Sequence, residues 1–135
     1  MLSYLLKTAK AHHINLYFTD DLPKHISAFA DQKSQSIVIN NTLANCGATY
    51  YKIAHEIGHL ITDNHPVNYK LRYNQLKNEQ IAHQLALNLL LPFYLSQKTP
   101  EDVNLHQLMR YFDIPTSLTG TVSKFVTNYF TLTAN

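Results

Sequence analysis

The sequence predicts an α+β fold, and a change of periodicity along the chain carries that prediction. Between residues 14 and 40, three short segments are rich in β-forming residues and broken by turns: INLYFT (Ile14 to Thr19), His25 to Ala30, and QSIVIN (Gln35 to Asn40). From Gly47 onward apolar residues recur every three or four positions, the spacing of helices that bury one face. A length of 135 residues suits one domain, 1–135. With 45% apolar and 15% charged residues, the chain can bury a core.

Each element has its own signal. MLSYLLKTAKAHH reads as an amphipathic helix with Leu2, Leu5, Leu6 and Ala9 on one side. It lacks the basic start, continuous apolar run and small-residue cleavage site of a secretory signal. The three β segments form a small antiparallel three-stranded sheet, with Asp20-Asp21-Leu22-Pro23 and Asp31-Gln32-Lys33-Ser34 as turns. A helix then carries Ile53, Ile57, Leu60 and Ile61 on one face, runs to about Asp63 and is ended by His65-Pro66. A second long helix covers roughly Lys70 to Leu91, turns Leu71, Leu85 and Leu89 inward and stops at Pro92. Two shorter helices follow, near Glu101 to Phe112 and Thr116 to Phe130.

Composition narrows the partners and the compartment. The formal charge is +2 and the eleven Lys and Arg are scattered, which argues against nucleic acid or an acidic membrane surface. The lone cysteine, Cys46, forms no internal disulfide and fits a reducing cytoplasm as a small apolar side chain. The longest apolar run, Leu89 to Phe93, is far too short to span a bilayer.

The chemistry concentrates in AHEIGHLITDNH, Ala54 to His65. On a helix, His55 and His59 lie one turn apart on a common face, so two imidazoles can reach one ion. Glu56 is rotated about 100° from His55, near the ion but outside the ligand position, where it can serve as a general base. Zinc suits two neutral imidazoles, one carboxylate and an open position, and it would supply a nucleophile from water at neutral pH. A HExxH string arises by accident in about one chain of this composition in a hundred, so context has to support it. Here it falls on an amphipathic helix with its apolar face opposite the ligands. Gly58, a cost of about 1 kcal/mol inside a helix, points to a close approach by another element. The bland alternative, a surface helix with two solvated histidines, leaves the glycine unexplained.

Three residues compete for the remaining ligand position. His65 stands where the extended pattern HExxHxxGxxH places a third histidine, but the glycine that pattern needs is Thr62 here, and a β-branched residue turns poorly into the left-handed region. Glu101 follows Pro100 and reads as a first-turn acid favoured by the helix dipole. Glu79 lies in NEQIAHQLALNLLLP, where Ala82, Ala86 and Leu90 continue its side of the helix and the small alanines permit close helix packing. His83, one turn on, points the same way as a ligand or as a donor behind the ligands. The order of preference is Glu79, His83, His65.

QSIVINNTL, YYKIAHEIGHLI and the ExxAxxxAxxLLLP run from Glu79 to Pro92 together resemble the ImmA/IrrE family of bacterial and phage metallopeptidases, over about Ser34 to Pro92. The resemblance implies a zincin-like active-site helix and a family pattern E-x-x-A-N-x-F-A-x-x-L-L-x-P whose glutamate is the third zinc ligand, a role that falls on Glu79. It further implies an endopeptidase that cleaves a helix-turn-helix repressor of a phage or mobile element, with Glu56 as general base. Two positions depart from the pattern: His83 stands for the usual Asn, and Leu85 for the usual Phe. His can titrate or bind metal where Asn cannot. The strand QSIVIN, if it edges the cleft, could take up substrate by strand addition. The oxyanion donor is open among His65 and tyrosines such as Tyr50, Tyr51, Tyr69 and Tyr73.

Two rival readings belong to other classes. The helical pair over 101–131 resembles a helix-turn-helix in outline, yet Arg110 and Lys124 are its only Lys or Arg, too few for a phosphate-neutralising surface. A non-proteolytic regulator that merely holds a repressor is the other, and the intact set His55, Glu56, His59 and Glu79 speaks against it. His12, His13, His25 and His106 have no spacing that demands chemistry.

Overall fold

The computed structural model describes residues 1–62 and 72–134, with the backbone alone for 72–75. Helix α1 (Leu2–Ala11) leads into strands β1 (Asn15–Thr19), β2 (Ala28–Asp31) and β3 (Ser36–Asn40), followed by helices α2 (Gly47–Thr62), α3 (Arg72–Leu95), α4 (Leu105–Phe112) and α5 (Thr119–Thr133). The α+β class expected from the sequence is what folds.

The sheet differs from the expected antiparallel one in a way that matters for the site. Its order is β1-β3-β2, with β2 antiparallel to β3 and β1 parallel to it, Asn15 lying opposite Ser36 and Ala28 opposite Ile39. The turn between β2 and β3, in which Gln35 takes a φ of 49°, is short enough to force a hairpin. Residues 20–27 give β1 the slack to bypass β2 and run along the far side of β3. The most apolar strand takes the centre: Ile37 and Ile39 are fully buried, whereas Tyr17 and Phe18 on β1 stay exposed. QSIVIN is therefore the central strand, and the edges of the sheet belong to β1 and β2.

Two helix boundaries also move. Pro92 does not stop α3, which continues through it to Leu95. The proline deprives Asn88 of one amide partner. Burial of Leu91 and Leu95 holds the last turn on the core, and the Ser96 amide bonds the Pro92 carbonyl at 3.0 Å. In place of a helix from Glu101, a short 3-10 turn spans Pro100–Asp102, closed by Thr99 Oγ1 donating to Asp102 Oδ2. The Asn104 side chain then starts α4 by accepting from the Gln107 amide at 2.9 Å.

Helix α2 sits centrally, against β2 on one side and α3 on another, with α1 and α4 also in contact. Ile53, Ile57 and Leu60 of α2 share the core with Ile37 and Ile39, Leu87, Leu90 and Leu91 of α3, Leu108 and Phe112 of α4 and Val122 of α5. The expected end of α2 at His65-Pro66 and the inward Leu71 lie outside the described residues. No helix among the described residues is long and apolar enough to cross a membrane.

Candidate metal centre

The helical period of α2 turns Ile53, Ile57 and Leu60 into the core and brings His55 and His59 together on another side. Their Nε2 atoms lie 3.1 Å apart. Helix α3 packs beside them with its backbone close to that of α2. A Cβ built on Gly58 would stand 3.0 Å from both the Cα and the carbonyl oxygen of Ala82. Ala82, Ala86 and Leu90 are fully buried on that face, and Glu79, one turn before Ala82, is carried to the histidines. Its Oε2 is 3.2 Å from His55 Nε2 and its Oε1 is 2.9 Å from His59 Nε2.

Two imidazole nitrogens and one carboxylate thus meet at one place. A tetrahedral ion with arms of 2.0–2.1 Å would separate adjacent ligand atoms by roughly 3.3 Å. The His55 and His59 nitrogens stand 3.1 Å apart, and the Glu79 carboxylate offers Oε1 at 2.9 Å from His59 and Oε2 at 3.2 Å from His55, separations near that edge length. His55, His59 and Glu79 form a group that could hold a metal ion. Burial, the neighbouring His59 and His83, and Lys52 push the His55 imidazole down to about 4, against the raising pull of Glu79. His55 is consequently neutral at physiological pH, as a ligand must be. Its buried Nδ1 has no hydrogen-bond partner.

Glu56 is buried beside this group, and its Oε1 meets Lys52 Nζ at 2.6 Å. Lys52 escaped the sequence reading, although its position four residues before Glu56 is the spacing of a helical ion pair. Tyr51, also on α2, is buried and its hydroxyl lies 2.7 Å from His83 Nδ1. Burial, with Glu79 nearby, raises the Tyr51 phenol well above the ordinary value, while burial lowers the His83 imidazole. His83 Nε2 is 3.9 Å from Glu79 Oε2, outside the cluster of donor atoms. The Tyr51–His83 pair joins residues 32 apart, so no local spacing could have revealed it.

Of the other candidates, Glu101 is exposed on the 3-10 turn, where the sequence put it in a first-turn role. His65 and Tyr69 lie outside the described residues, as does the side chain of Tyr73. Arg110 and Lys124 are exposed, whereas Leu108, Met109 and Phe112 of α4 are committed to the core.

Two imidazoles one helical turn apart, an adjacent glutamate and a carboxylate from the next helix make a donor set of the metallopeptidase kind. The chain belongs to the Peptidase_M78 family, the IrrE N-terminal-like domain, whose model matches residues 9–120. No curated protein and no solved structure matches it.

Proposed function

We propose that this protein is a zinc-dependent endopeptidase that cleaves a helix-turn-helix transcriptional repressor of a phage or mobile element in the cytoplasm. The observation that carries the reading is the convergence of His55, His59 and Glu79 beside a buried Glu56, in a chain of a peptidase family. Zinc held by these three residues supplies Lewis acidity toward a peptide carbonyl and brings the pKa of water near neutrality.

The remaining work falls to the chain's own side chains. Glu56 accepts the proton of the attacking water and delivers it to the leaving amine, a contribution typically of about 10²–10⁴-fold. Lys52 holds that carboxylate by Oε1, which leaves Oε2 for the proton. An extended substrate segment docks along β2. In its antiparallel ladder Ser27 and Phe29 face β3, as the bond from the Asn40 amide to the Ser27 carbonyl marks, so the amide groups of Ala28 and Ala30 point to the outer edge. Ser27, just before β2, also lines the cavity that contains Tyr51, Lys52, His55 and His83, which supports docking along this edge.

The test is to mix the zinc-loaded protein with the repressor encoded beside its own gene. Defined, zinc-dependent fragments are expected from the wild type. Glu56→Gln should keep its zinc and cleave at least about 10²-fold more slowly. Cleavage that persists in this variant would remove Glu56 as the base, and an intact repressor under all metal conditions would remove the peptidase reading.

A further inference from the structure

Resting on that reading, we propose that His83 is the hydrogen-bond donor to the scissile carbonyl as negative charge develops on its oxygen, and that Tyr51 is the positioning residue that aims it. The first support is where His83 sits. The His55 and His59 nitrogens are 3.1 Å apart and each has a Glu79 oxygen within 3.2 Å, whereas His83 Nε2 is 3.9 Å from Glu79 Oε2. It is too far out to complete the ligand edge and too far for a hydrogen bond to Glu79. Its ring centroid nevertheless lies 4.3 Å from that of His55, so it flanks the place where the reacting group must be.

The second support is the Tyr51 contact, which holds the ring and gives its Nδ1 a partner. The phenol oxygen is 2.7 Å from Nδ1, and Tyr51 is only 6% exposed. At that distance His83 Nδ1 is an acceptor the phenol hydrogen can use. With the phenol donating to Nδ1, the imidazole proton resides on Nε2, the nitrogen turned toward the metal centre. Both residues line a cavity of about 250 Å³ together with Ser27, Lys52 and His55, space that a peptide carbonyl can enter beside the imidazole. A donor held in place before charge develops stabilises the transition state more than the bound substrate, and so acts on kcat more than on KM.

The experiment combines three variants with two readouts that do not depend on turnover. In zinc-loaded wild type, ring-nitrogen NMR should show His83 Nδ1 as an unprotonated acceptor and Nε2 as protonated; in Tyr51→Phe that preference should be lost. His83→Ala should still bind one zinc per chain with affinity within about threefold of wild type, while kcat for the repressor falls about 10²–10³-fold and KM changes little. His83→Asn, which retains an N–H donor, should recover part of the loss, and Tyr51→Phe should lower kcat by about tenfold without loss of zinc. The proposal is overturned if His83→Ala sheds zinc, if His83 Nε2 proves unprotonated or metal-bound, or if His83→Ala cleaves at the wild-type kcat. A wild type that binds zinc but cleaves no repressor would instead defeat the peptidase reading on which the donor role rests.

Discussion

At the residue scale, His55 and Glu79 make opposite demands on the chain, one buried and one half exposed. Because the folded pKa of His55 is depressed to about 4, the unfolded chain binds this proton more tightly. The contribution of His55 to metal-free stability is thus fully present above about pH 6.5 and is lost as the pH falls from there toward 4. Thermal melts of metal-free protein should show this acid loss, and His55→Gln should flatten it. Glu79→Ala should leave the metal-free melting temperature nearly unchanged, since partly exposed substitutions usually stay within about 0.5 kcal/mol. Its zinc affinity should fall by more than the roughly 10–100-fold that an outer-shell partner is worth, as measured by chelator competition. Full occupancy in that variant would move the ligand role elsewhere. The HExxH pair and its glutamate were legible at this scale because helical periodicity alone places i and i+4 together. Lys52 obeys the same rule but went unread, since many exposed lysines share that spacing with a glutamate without pairing.

At the element scale, the α2–α3 contact decides whether the site exists. Gly58→Ala should gain about 1 kcal/mol of helix propensity and lose more, since the new methyl meets the Ala82 backbone, which no rotamer change can move. The expected net loss is about 1–3 kcal/mol in chemical denaturation. Zinc affinity should weaken with it, because the displaced helix also carries Glu79; an unchanged affinity would show that the close approach does not set the ligand geometry. The glycine and the alanines announced this contact in the sequence, since small residues on facing helices let the two backbones come together where larger side chains would hold them apart. Strand order was not announced in the same way. Alternation identifies a strand and its faces but carries no information about which neighbour it pairs with, so the parallel β1–β3 pairing and the edge position of β2 needed the fold. Pro92 misled for a related reason: local propensity marks a cost of roughly 3 kcal/mol, and burial of Leu91 and Leu95 outweighs it.

At the scale of the whole molecule, the candidate metal centre joins two helices, and His55 and Glu79 stand far apart in the chain. An ion held there would bind the folded state alone, so zinc at about a hundred times its dissociation constant should stabilise the fold by about 2.7 kcal/mol. For a chain of this size that is a rise in melting temperature of roughly 10 °C, reversed by a chelator. A melting temperature indifferent to zinc would argue against a site that bridges α2 and α3. The sequence by itself determined the α+β class, the helix that bears His55, Glu56 and His59, and the small-residue seam beside them, because each is written in spacings of four residues or fewer. Only the tertiary structure decided that β3 lies inside the sheet, that Glu79 reaches both histidines, and that Tyr51 holds His83. Those are distances between residues remote in the chain, set by how the faces of several elements share one core.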